Sequence, residues 1–217
     1  MNSIAHISRG TEQNYSIPLA ELLAALSGWV STRLIDDSVI IAGLCDDSRA
    51  AGPSSLFVAI KGDKHDGHRS IAEAVQRGAL AVVVERGAVE QEDLSTLEVA
   101  VIEVVDSRAA LAPLASAFYR HPAAEMTMVG ITGTTGKTTV CYLIEQTLRQ
   151  LGVRTGVIGT VEYRYDLGKG RSISEPAPLT TPDPLTLQKV LRKMADSGVS
   201  HVIMEASSHA LQQHRLG

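Results

Sequence analysis

Residues 128–139 read MVGITGTTGKTT, an apolar segment that runs into a glycine-rich turn and then into a helical pattern. A strand, a glycine loop and a helix in this order build a site for the phosphates of a nucleotide. Backbone N–H groups of such a turn point inward and hold phosphate oxygens, and the N-terminus of the following helix favours negative charge. This stretch therefore predicts a phosphate-binding loop that opens a nucleotide-binding domain.

Within the predicted loop, a cation and a hydroxyl follow the last glycine. Lys137 can supply positive charge to the outer phosphates, and the hydroxyl of Thr138 can reach a bound Mg²⁺. Ile131 stands where the general phosphate-loop pattern has its first glycine, so the match is incomplete. A turn between a strand and a helix without any ligand is the alternative. The residues predicted to bind the nucleotide are Gly133, Thr134, Thr135, Gly136, Lys137, Thr138 and Thr139.

Composition narrows the class of protein. The 217 residues carry a net charge of −4 and are 44% hydrophobic, as expected for a globular chain with a substantial core. This charge provides no general attraction to nucleic acid or to an anionic membrane, so we expect neither as a partner. Cys45 and Cys141 are far apart and not in metal-ligand spacing. Without a signal-like N-terminus or a long apolar span, we expect a cytoplasmic protein with reduced thiols.

Two alternations of strands and helices predict two α/β domains, residues 1–122 and 123–217. The first is a small N-terminal domain, and the second is a P-loop-type central domain with a mainly parallel sheet. In the first domain the pattern predicts helices over 18–27, 71–77 and 107–119 and strands over 39–41, 56–60, 81–84 and 99–105. About three parallel strands fit between residue 126 and the chain end, where sheets usually hold five or six. We therefore expect the second domain to be incomplete.

The second domain has a helix after the loop, with Val140, Leu143, Ile144, Leu148 and Leu151 on one face. A strand at 157–158, a surface excursion over 166–178 and a helix from 180–184 to Met194 follow. Residues 201–205 predict a central strand that ends in Glu205, at the strand end where open α/β sheets bind ligands. A carboxylate there can hold Mg²⁺, which prefers oxygen ligands. The alternative is an acid paired with a nearby lysine or arginine.

Five segments in this order resemble the Mur ligases, ATP-dependent amino-acid ligases of peptidoglycan precursor synthesis. They are DSR at 47–49, LFVAIKG at 56–62, GTTGKTT at 133–139, TTPDP at 180–184 and EASSHAL at 205–211. The last two segments favour the branch that adds the third stem-peptide residue to UDP-N-acetylmuramoyl-L-alanyl-D-glutamate. Thr135 departs from the commoner loop of the family, which has asparagine there.

The resemblance implies two groups of substrate-binding residues. In the first domain, the residues that would hold the UDP end are Asp46, Ser48, Asp63, Lys64 and His65. In the second domain, the residues that would contact the muramoyl-peptide are Thr180, Thr181, Ser207, Gln213 and Arg215. Hydroxyls, an amide and charged groups suit these ligands chemically. A solvated turn at 63–65 and helix capping by the threonines are the alternatives, and His209 either orients substrate or is structural.

The resemblance also implies the reaction. ATP phosphorylates the D-glutamyl carboxylate, and the amine of meso-diaminopimelate or L-lysine attacks the acyl phosphate. The implied cofactors are ATP and Mg²⁺, with Lys137 and Glu205 as catalytic groups and Thr138 and Glu205 as metal ligands. We expect a monomer. The family's carbamylated lysine and C-terminal domain would lie after Gly217, so these residues alone should have little ligase activity.

Other functions stay open at this point. A sister Mur ligase that adds D-Ala-D-Ala shares most of the motifs. The motifs of the UDP-binding type argue against a folylpolyglutamate synthetase. A non-catalytic module that binds a nucleotide or a UDP-sugar is the alternative from a different class, and a generic P-loop ATPase would leave residues 1–120 unexplained.

Overall fold

The computed structural model describes residues 15–31, 38–62 and 65–216, which divide into two compact units. Unit 15–118 and unit 119–216 each consist of a β-sheet with packed helices, so the predicted α/β class is confirmed. The contacts separate the units after Phe118, and the boundary at 122/123 stays a prediction. None of the helices in the described ranges has the length and apolar character that a membrane crossing requires.

Unit 15–118 contains two sheets. Its strands are β1 Ile17–Pro18, β2 Val30–Ser31, β3 Ile40–Ile41, β4 Gly43–Cys45, β5 Ser55–Val58, β6 Ala79–Glu85 and β7 Ala100–Val104. Its helices are α1 Leu19–Leu23, α2 Ile71–Gln76, α3 Gln91–Ser95 and α4 Ser107–Phe118, with short 3₁₀ turns at Ser48–Ala50 and Gly67–Ser70. The larger sheet has the order β2-β7-β6-β5-β4, in which β4 to β7 are parallel and β2 is antiparallel.

The central strand β6 is buried because helices cover both of its faces. Val82 and Val84 pack in one core cluster with Ile71 and Ala74 of α2, while α4 also contacts β6 and lies outside that cluster. Such coverage explains the continuous apolar run of a parallel strand.

Helix α1 is shorter than the helix predicted over 18–27. The amide of Ala24 still bonds to the carbonyl of Ala20, but Ala25 and Leu26 bond three residues back. These tighter bonds belong to 3₁₀-type turns, so the α-helix ends at Leu23.

Unit 119–216 contains one five-stranded sheet. Its strands are β8 Thr127–Ile131, β9 Thr155–Ile158, β10 Glu162–Gly168, β11 Arg171–Pro176 and β12 His201–Glu205. Its helices are α5 Lys137–Gln150, α6 Pro184–Asp196 and α7 Ser208–Gln212, with a 3₁₀ turn at Pro122–Glu125. The order is β11-β10-β9-β12-β8, and β12 is parallel to both neighbours, with Ile203 opposite Val129 and Val157. Strand β10 is antiparallel to β9 and β11, so the sheet is mixed and not mainly parallel as predicted.

The predicted surface excursion over 166–178 is wrong, because this segment forms most of the hairpin β10–β11. The two turn residues, Lys169 and Gly170, have φ of +55° and +72°, the combination that matches the twist of a two-residue hairpin. Tyr163 and Tyr165 face the core, whereas β11 carries polar residues at the edge of the sheet. Edge strands are commonly polar, and this polarity hid the strand.

Helices α5 and α6 cover opposite faces of this sheet. Leu191 and Met194 of α6 share a core cluster with Val202 and Met204 of β12, and α5 contacts β8, β9 and β12 without entering that cluster. The predicted apolar face of α5 is only partly buried. Ile144 and Leu148 are half-buried, and the exposed members are Val140, Leu143 and Leu151.

Candidate functional site

The glycine loop connects β8 to α5. Gly133 and Gly136 have φ of +144° and +80°, conformations in which a side chain would be strained, so both positions require glycine. Gly136 is the N-cap of α5, and the loop residues 132–136 are exposed. The ammonium of Lys137 donates to the carbonyl oxygen of Gly133 at 2.6 Å. The loop thus leaves its amides and the start of a long helix open to solvent, as an anion site requires.

Glu205 and Thr138 meet beside this loop, although they are 67 positions apart. The hydroxyl of Thr138 donates to Oε1 of Glu205 at 3.0 Å. The parallel pairing of β8 with β12, which sets Ile131 opposite Glu205, brings the two strand ends to one edge. The structure therefore joins the two predicted metal ligands at the carboxyl ends of the strands, where open sheets bind ligands.

Glu205 is buried, with only 1% of its surface exposed, and its partners are neutral. Oε1 also accepts the amide of Thr160 at 2.9 Å, and Oε2 accepts the hydroxyl of Thr160 at 3.1 Å. Among the described residues it forms no ion pair. Since an uncompensated buried charge is costly, this carboxylate favours a nearby cation. The predicted alternative, an acid paired with lysine or arginine, does not match these contacts.

The donor set fits Mg²⁺. Within the described ranges, no three His, Cys, Asp or Glu side chains cluster so as to cage a metal. Mg²⁺ is usually held by one or two protein oxygens together with phosphates and water. The hydroxyl of Thr138 keeps its lone pairs while it donates its proton to Glu205. The hydroxyl oxygen of Thr138 and a carboxylate oxygen of Glu205 can therefore both coordinate such an ion.

Four of the predicted muramoyl-peptide residues come together next to Glu205. The buried hydroxyl of Thr181 donates to the carbonyl of Glu205 at 2.8 Å and accepts the amide of Ser207 at 3.1 Å. Arg215 donates to the carbonyl of Thr181 at 2.8 Å and to the side-chain oxygen of Gln213. The hydroxyl of Ser207 caps α7 by accepting the amide of Ala210. Thr181 therefore ties the segment before α6 to the end of β12.

Thr180 differs from its neighbour, since its half-buried hydroxyl lies 3.2 Å from that of Thr160. Neither threonine caps α6. That role belongs to Asp183, whose carboxylate accepts the amide of Thr186 at 2.9 Å, so the capping alternative does not describe this pair. His209 is exposed on α7.

A second site lies in unit 15–118, where a cleft of about 690 Å³ opens beyond the ends of β4 and β5. This volume is within the usual range for small-molecule sites. Three predicted UDP-binding residues, Asp46, Ser48 and His65, line it. Asp63 and Lys64 lie outside the described residues. The other lining residues are Asp47, Arg49, Phe57, Gly67, Ser70 and Glu73.

Hydrogen bonds fix the polar groups of this cleft. The buried hydroxyl of Ser48 donates to Glu73 at 2.7 Å, so its lone pairs remain for an N–H donor on a ligand. The bond from Ser48 and then the cation of Arg77 lower the pKa of Glu73. Arg49 likewise lowers the pKa of Asp47 to about 2. Both carboxylates are therefore charged at neutral pH beside the two arginines.

Thr160 and Glu73 take part in these sites and were not predicted from the sequence. Thr160 comes two residues after β9, which is parallel to β12, and the rule that ligands gather at strand ends was a usable signal for it. Glu73 lies on α2, and only tertiary packing places it against Ser48. Both thiols are buried, and burial raises the pKa of Cys45 to about 12 and of Cys141 to about 11.

Known proteins resemble this chain over most of its length. The UDP-N-acetylmuramoyl-L-alanyl-D-glutamate--2,6-diaminopimelate ligase of Caldanaerobacter subterraneus is 43% identical over 180 residues, 82% of this chain and 35% of that protein. The ligase of the same name from Listeria monocytogenes is 43% identical over 198 residues, 91% of this chain and 38% of that protein. The chain thus spans between a third and two fifths of the length of these relatives.

Two solved structures share the fold. A UDP-N-acetylmuramoyl-L-alanyl-D-glutamate--2,6-diaminopimelate ligase matches with a TM-score of 0.60 and 26% identity, over 81% of this chain and 34% of that one. The UDP-N-acetylmuramoylalanyl-D-glutamyl-2,6-diaminopimelate--D-alanyl-D-alanyl ligase of Acinetobacter baumannii matches with a TM-score of 0.57 and 22% identity, over 92% of this chain and 38% of that one. At this identity it supports the fold alone.

Two family domains account for most of the sequence. Residues 40–119 match the catalytic domain of the Mur ligase family, and residues 131–217 match the Mur ligase middle domain. Each match falls largely within one structural unit, and the second includes most of the glycine loop, together with Thr160, Thr180 and Glu205. The chain belongs to the Mur ligase family.

Proposed function

We propose that the protein containing this chain is the ATP-dependent ligase that adds the third stem-peptide residue to UDP-N-acetylmuramoyl-L-alanyl-D-glutamate. The observation that carries the proposal is Glu205, a buried carboxylate that meets Thr138 beside a glycine loop. A phosphoryl-transfer enzyme needs this combination, because its catalysis consists mainly of positioning and charge neutralisation. The names of the relatives at 43% identity supply the substrate.

In this proposal unit 119–216 binds ATP and Mg²⁺. ATP supplies the phosphoryl group that activates the D-glutamyl carboxylate, and Mg²⁺ supplies positive charge. The ammonium of Lys137 has three donors, of which Gly133 takes one, so two remain for phosphate oxygens. The loop amides orient the phosphates, while Thr138 and Glu205 offer oxygens to the cation.

We propose substrate-binding groups in each unit separately. Asp46, Ser48 and His65 line the cleft proposed for the UDP end, and Asp63 and Lys64 remain candidates for the same role. For the muramoyl-peptide, the groups proposed are Thr180, Thr181, Ser207, Gln213 and Arg215. The hydroxyl of Thr181 already forms two hydrogen bonds within the protein. We therefore assign Thr181 to shaping the site and Thr180 to direct contact with the muramoyl-peptide.

We propose meso-diaminopimelate as the incoming amino acid, because several relatives carry 2,6-diaminopimelate in their names. L-Lysine is the other candidate, and a relative named UDP-N-acetylmuramyl-tripeptide synthetase, 44% identical, is compatible with either. We further propose a cytoplasmic monomer, and sedimentation analysis of the purified chain tests its oligomeric state.

Binding experiments with the 217-residue chain test the proposal. Lys137→Ala should lower the affinity for Mg·ATP at least about tenfold, since charge-assisted hydrogen bonds are lost. The affinity for UDP-N-acetylmuramoyl-L-alanyl-D-glutamate should stay unchanged. Ser48→Ala should lower the affinity for the UDP-substrate and leave that for Mg·ATP unchanged, so each variant is a control for the other. Calorimetric titration measures both affinities. A wild-type chain that binds neither ligand would refute the proposal.

A turnover assay separates the competing functions. We would replace the matched segment of the Listeria monocytogenes ligase by this chain. ADP formation would then be measured with meso-diaminopimelate and with L-lysine. Turnover with the UDP-muramoyl-dipeptide supports the proposal, turnover with the tripeptide indicates the sister ligase that adds D-Ala-D-Ala, and binding without turnover indicates a non-catalytic module.

A further inference from the structure

Thr160 makes two hydrogen bonds to the carboxylate of Glu205, more than any other described residue, although it belongs to neither the glycine loop nor β12. Its amide donates to Oε1 at 2.9 Å, and its hydroxyl lies 3.1 Å from Oε2. The same hydroxyl lies 3.2 Å from that of Thr180. One side chain therefore contacts both the proposed metal-binding carboxylate and a proposed substrate-binding hydroxyl.

The number of protons sets the direction of these bonds. Thr160 has one hydroxyl proton, and a carboxylate can only accept. A hydrogen bond to a charged acceptor is stronger than one between neutral hydroxyls, so the proton of Thr160 goes to Glu205. Thr180 must then donate to Thr160. The resulting chain runs from Thr180 through Thr160 to Glu205.

The neighbouring glycine confines the carboxylate on another side. A Cβ on Gly159 would lie 2.5 Å from Oε1 of Glu205, so only glycine leaves the carboxylate where it is. Gly159 and Thr160 thus act as a pair, in which the first provides space and the second provides two donors. The hydroxyl of Thr138 completes the contacts of Oε1.

We propose that Thr160 is a positioning residue that fixes the carboxylate of Glu205 for the cation and anchors Thr180 for the muramoyl-peptide. This inference rests on the proposed function, since it assumes that Glu205 serves Mg²⁺ and that Thr180 contacts substrate. The two roles are separable. Removal of the Thr180 hydroxyl leaves both bonds from Thr160 to Glu205, whereas removal of the Thr160 hydroxyl also takes away the hydrogen-bond partner of Thr180.

Calorimetry on the 217-residue chain tests the inference. For each variant we would measure ADP affinity with Mg²⁺ and with EDTA, and the affinity for UDP-N-acetylmuramoyl-L-alanyl-D-glutamate. We call the ADP affinity in Mg²⁺ divided by that in EDTA the magnesium ratio. Thr160→Val should lower the magnesium ratio at least about fivefold and should also weaken binding of the UDP-substrate, because one hydroxyl hydrogen-bonds in both sites. Thr160→Ser, which keeps the hydroxyl, should restore both.

Two further variants make the test specific. Thr180→Val should weaken the UDP-substrate and leave the magnesium ratio within about twofold, because Thr160 retains its bonds to Glu205. Thr147→Val removes an exposed hydroxyl that bonds to its own helix and should change neither quantity. Thermal unfolding of every variant identifies any that do not fold.

The outcomes separate the two proposals. A wild-type chain with no magnesium dependence of ADP binding would refute the proposed function, and the inference with it. A magnesium-dependent wild type whose Thr160→Val variant has the same ratio would refute the inference alone. A serine variant as impaired as the valine variant would also refute it, because the hydroxyl would then not be the group that matters.

Discussion

Thr180 and Thr181 are adjacent in the chain and have different roles in the structure. The hydroxyl of Thr181 donates to Glu205 and accepts from Ser207, and the residue is 1% exposed. Thr180 is half-buried, and its hydroxyl meets Thr160. At the scale of single residues, the family resemblance assigned one role to both threonines, and only the direction of each side chain separates them.

Gly67 shows how closely backbone packs around the cleft of unit 15–118. A Cβ at this position would lie 2.8 Å from both the nitrogen and the oxygen of Ile60. Gly67→Ala should therefore reduce the free energy of unfolding of this unit by about 1–3 kcal/mol, the usual cost of overpacking. Urea unfolding followed by the fluorescence of Trp29, the single tryptophan, measures the change.

Gly52 is the matched control for Gly67. A Cβ on Gly52 meets no atom within 4 Å, so Gly52→Ala should change the free energy of unfolding by no more than about 0.5 kcal/mol. Equal effects of the two substitutions would contradict the steric explanation.

At the scale of elements, one ion pair joins α6 to the 3₁₀ turn Pro122–Glu125. Arg192 donates to Glu125 at 2.5 and 3.1 Å, and it also pairs with Asp196 on its own helix. The guanidinium is nearly buried, with 10% of the side chain exposed, while 51% of Glu125 is exposed. The hydrogen bonds from Arg192 lower the pKa of Glu125 below its ordinary value of 4.5.

Glu125→Gln should therefore reduce stability in a pH-dependent way. A lowered folded pKa means that the pair stabilises fully above pH 4.5 and loses its contribution as the pH falls through the folded pKa. Because half of Glu125 is exposed, we expect a loss of about 1 kcal/mol at pH 7, which disappears in acid. Calorimetric melting between pH 7 and pH 3 measures the difference.

Glu175 is the control at this scale, because its pair with Lys193 is long, at 3.8 Å, and both side chains are over 40% exposed. Glu175→Gln should change stability little at any pH. A loss for Glu125→Gln that is the same at pH 3 and pH 7 would contradict an electrostatic origin.

The hairpin β10–β11 shows what the pattern of an element can hide. Tyr163 and Tyr165 alternate on the buried face of β10, but the partner strand is polar and lies at a sheet edge. Its extended form depends on pairing with β10 and on two left-handed turn residues. A cap residue predicted α4, an apolar face predicted α5, and a cap with prolines predicted α6, all close to their observed bounds.

At the scale of the whole molecule, each unit contains a candidate ligand site. Ligands stabilise the structure that they bind, so we expect each ligand to protect one unit from hydrogen exchange. UDP should slow exchange around 46–49 and 65–73, and Mg·ADP should slow exchange at 133–139 and around Glu205. Mass spectrometry of digested fragments measures this, and protection spread equally over both units by either ligand would contradict the assignment.

The amino-acid sequence by itself determined the α/β class, the glycine loop, the acid at the end of β12 and the family. These features follow from local order, since glycine conformations, apolar runs and motif spacing are written along the chain. Only the tertiary structure decided which groups touch: Thr138 and Thr160 on Glu205, Ser48 on Glu73, and the inward hydroxyl of Thr181. The physical reason is that parallel strands bring distant residues to one sheet edge, where directional hydrogen bonds between neighbours fix the role of each side chain.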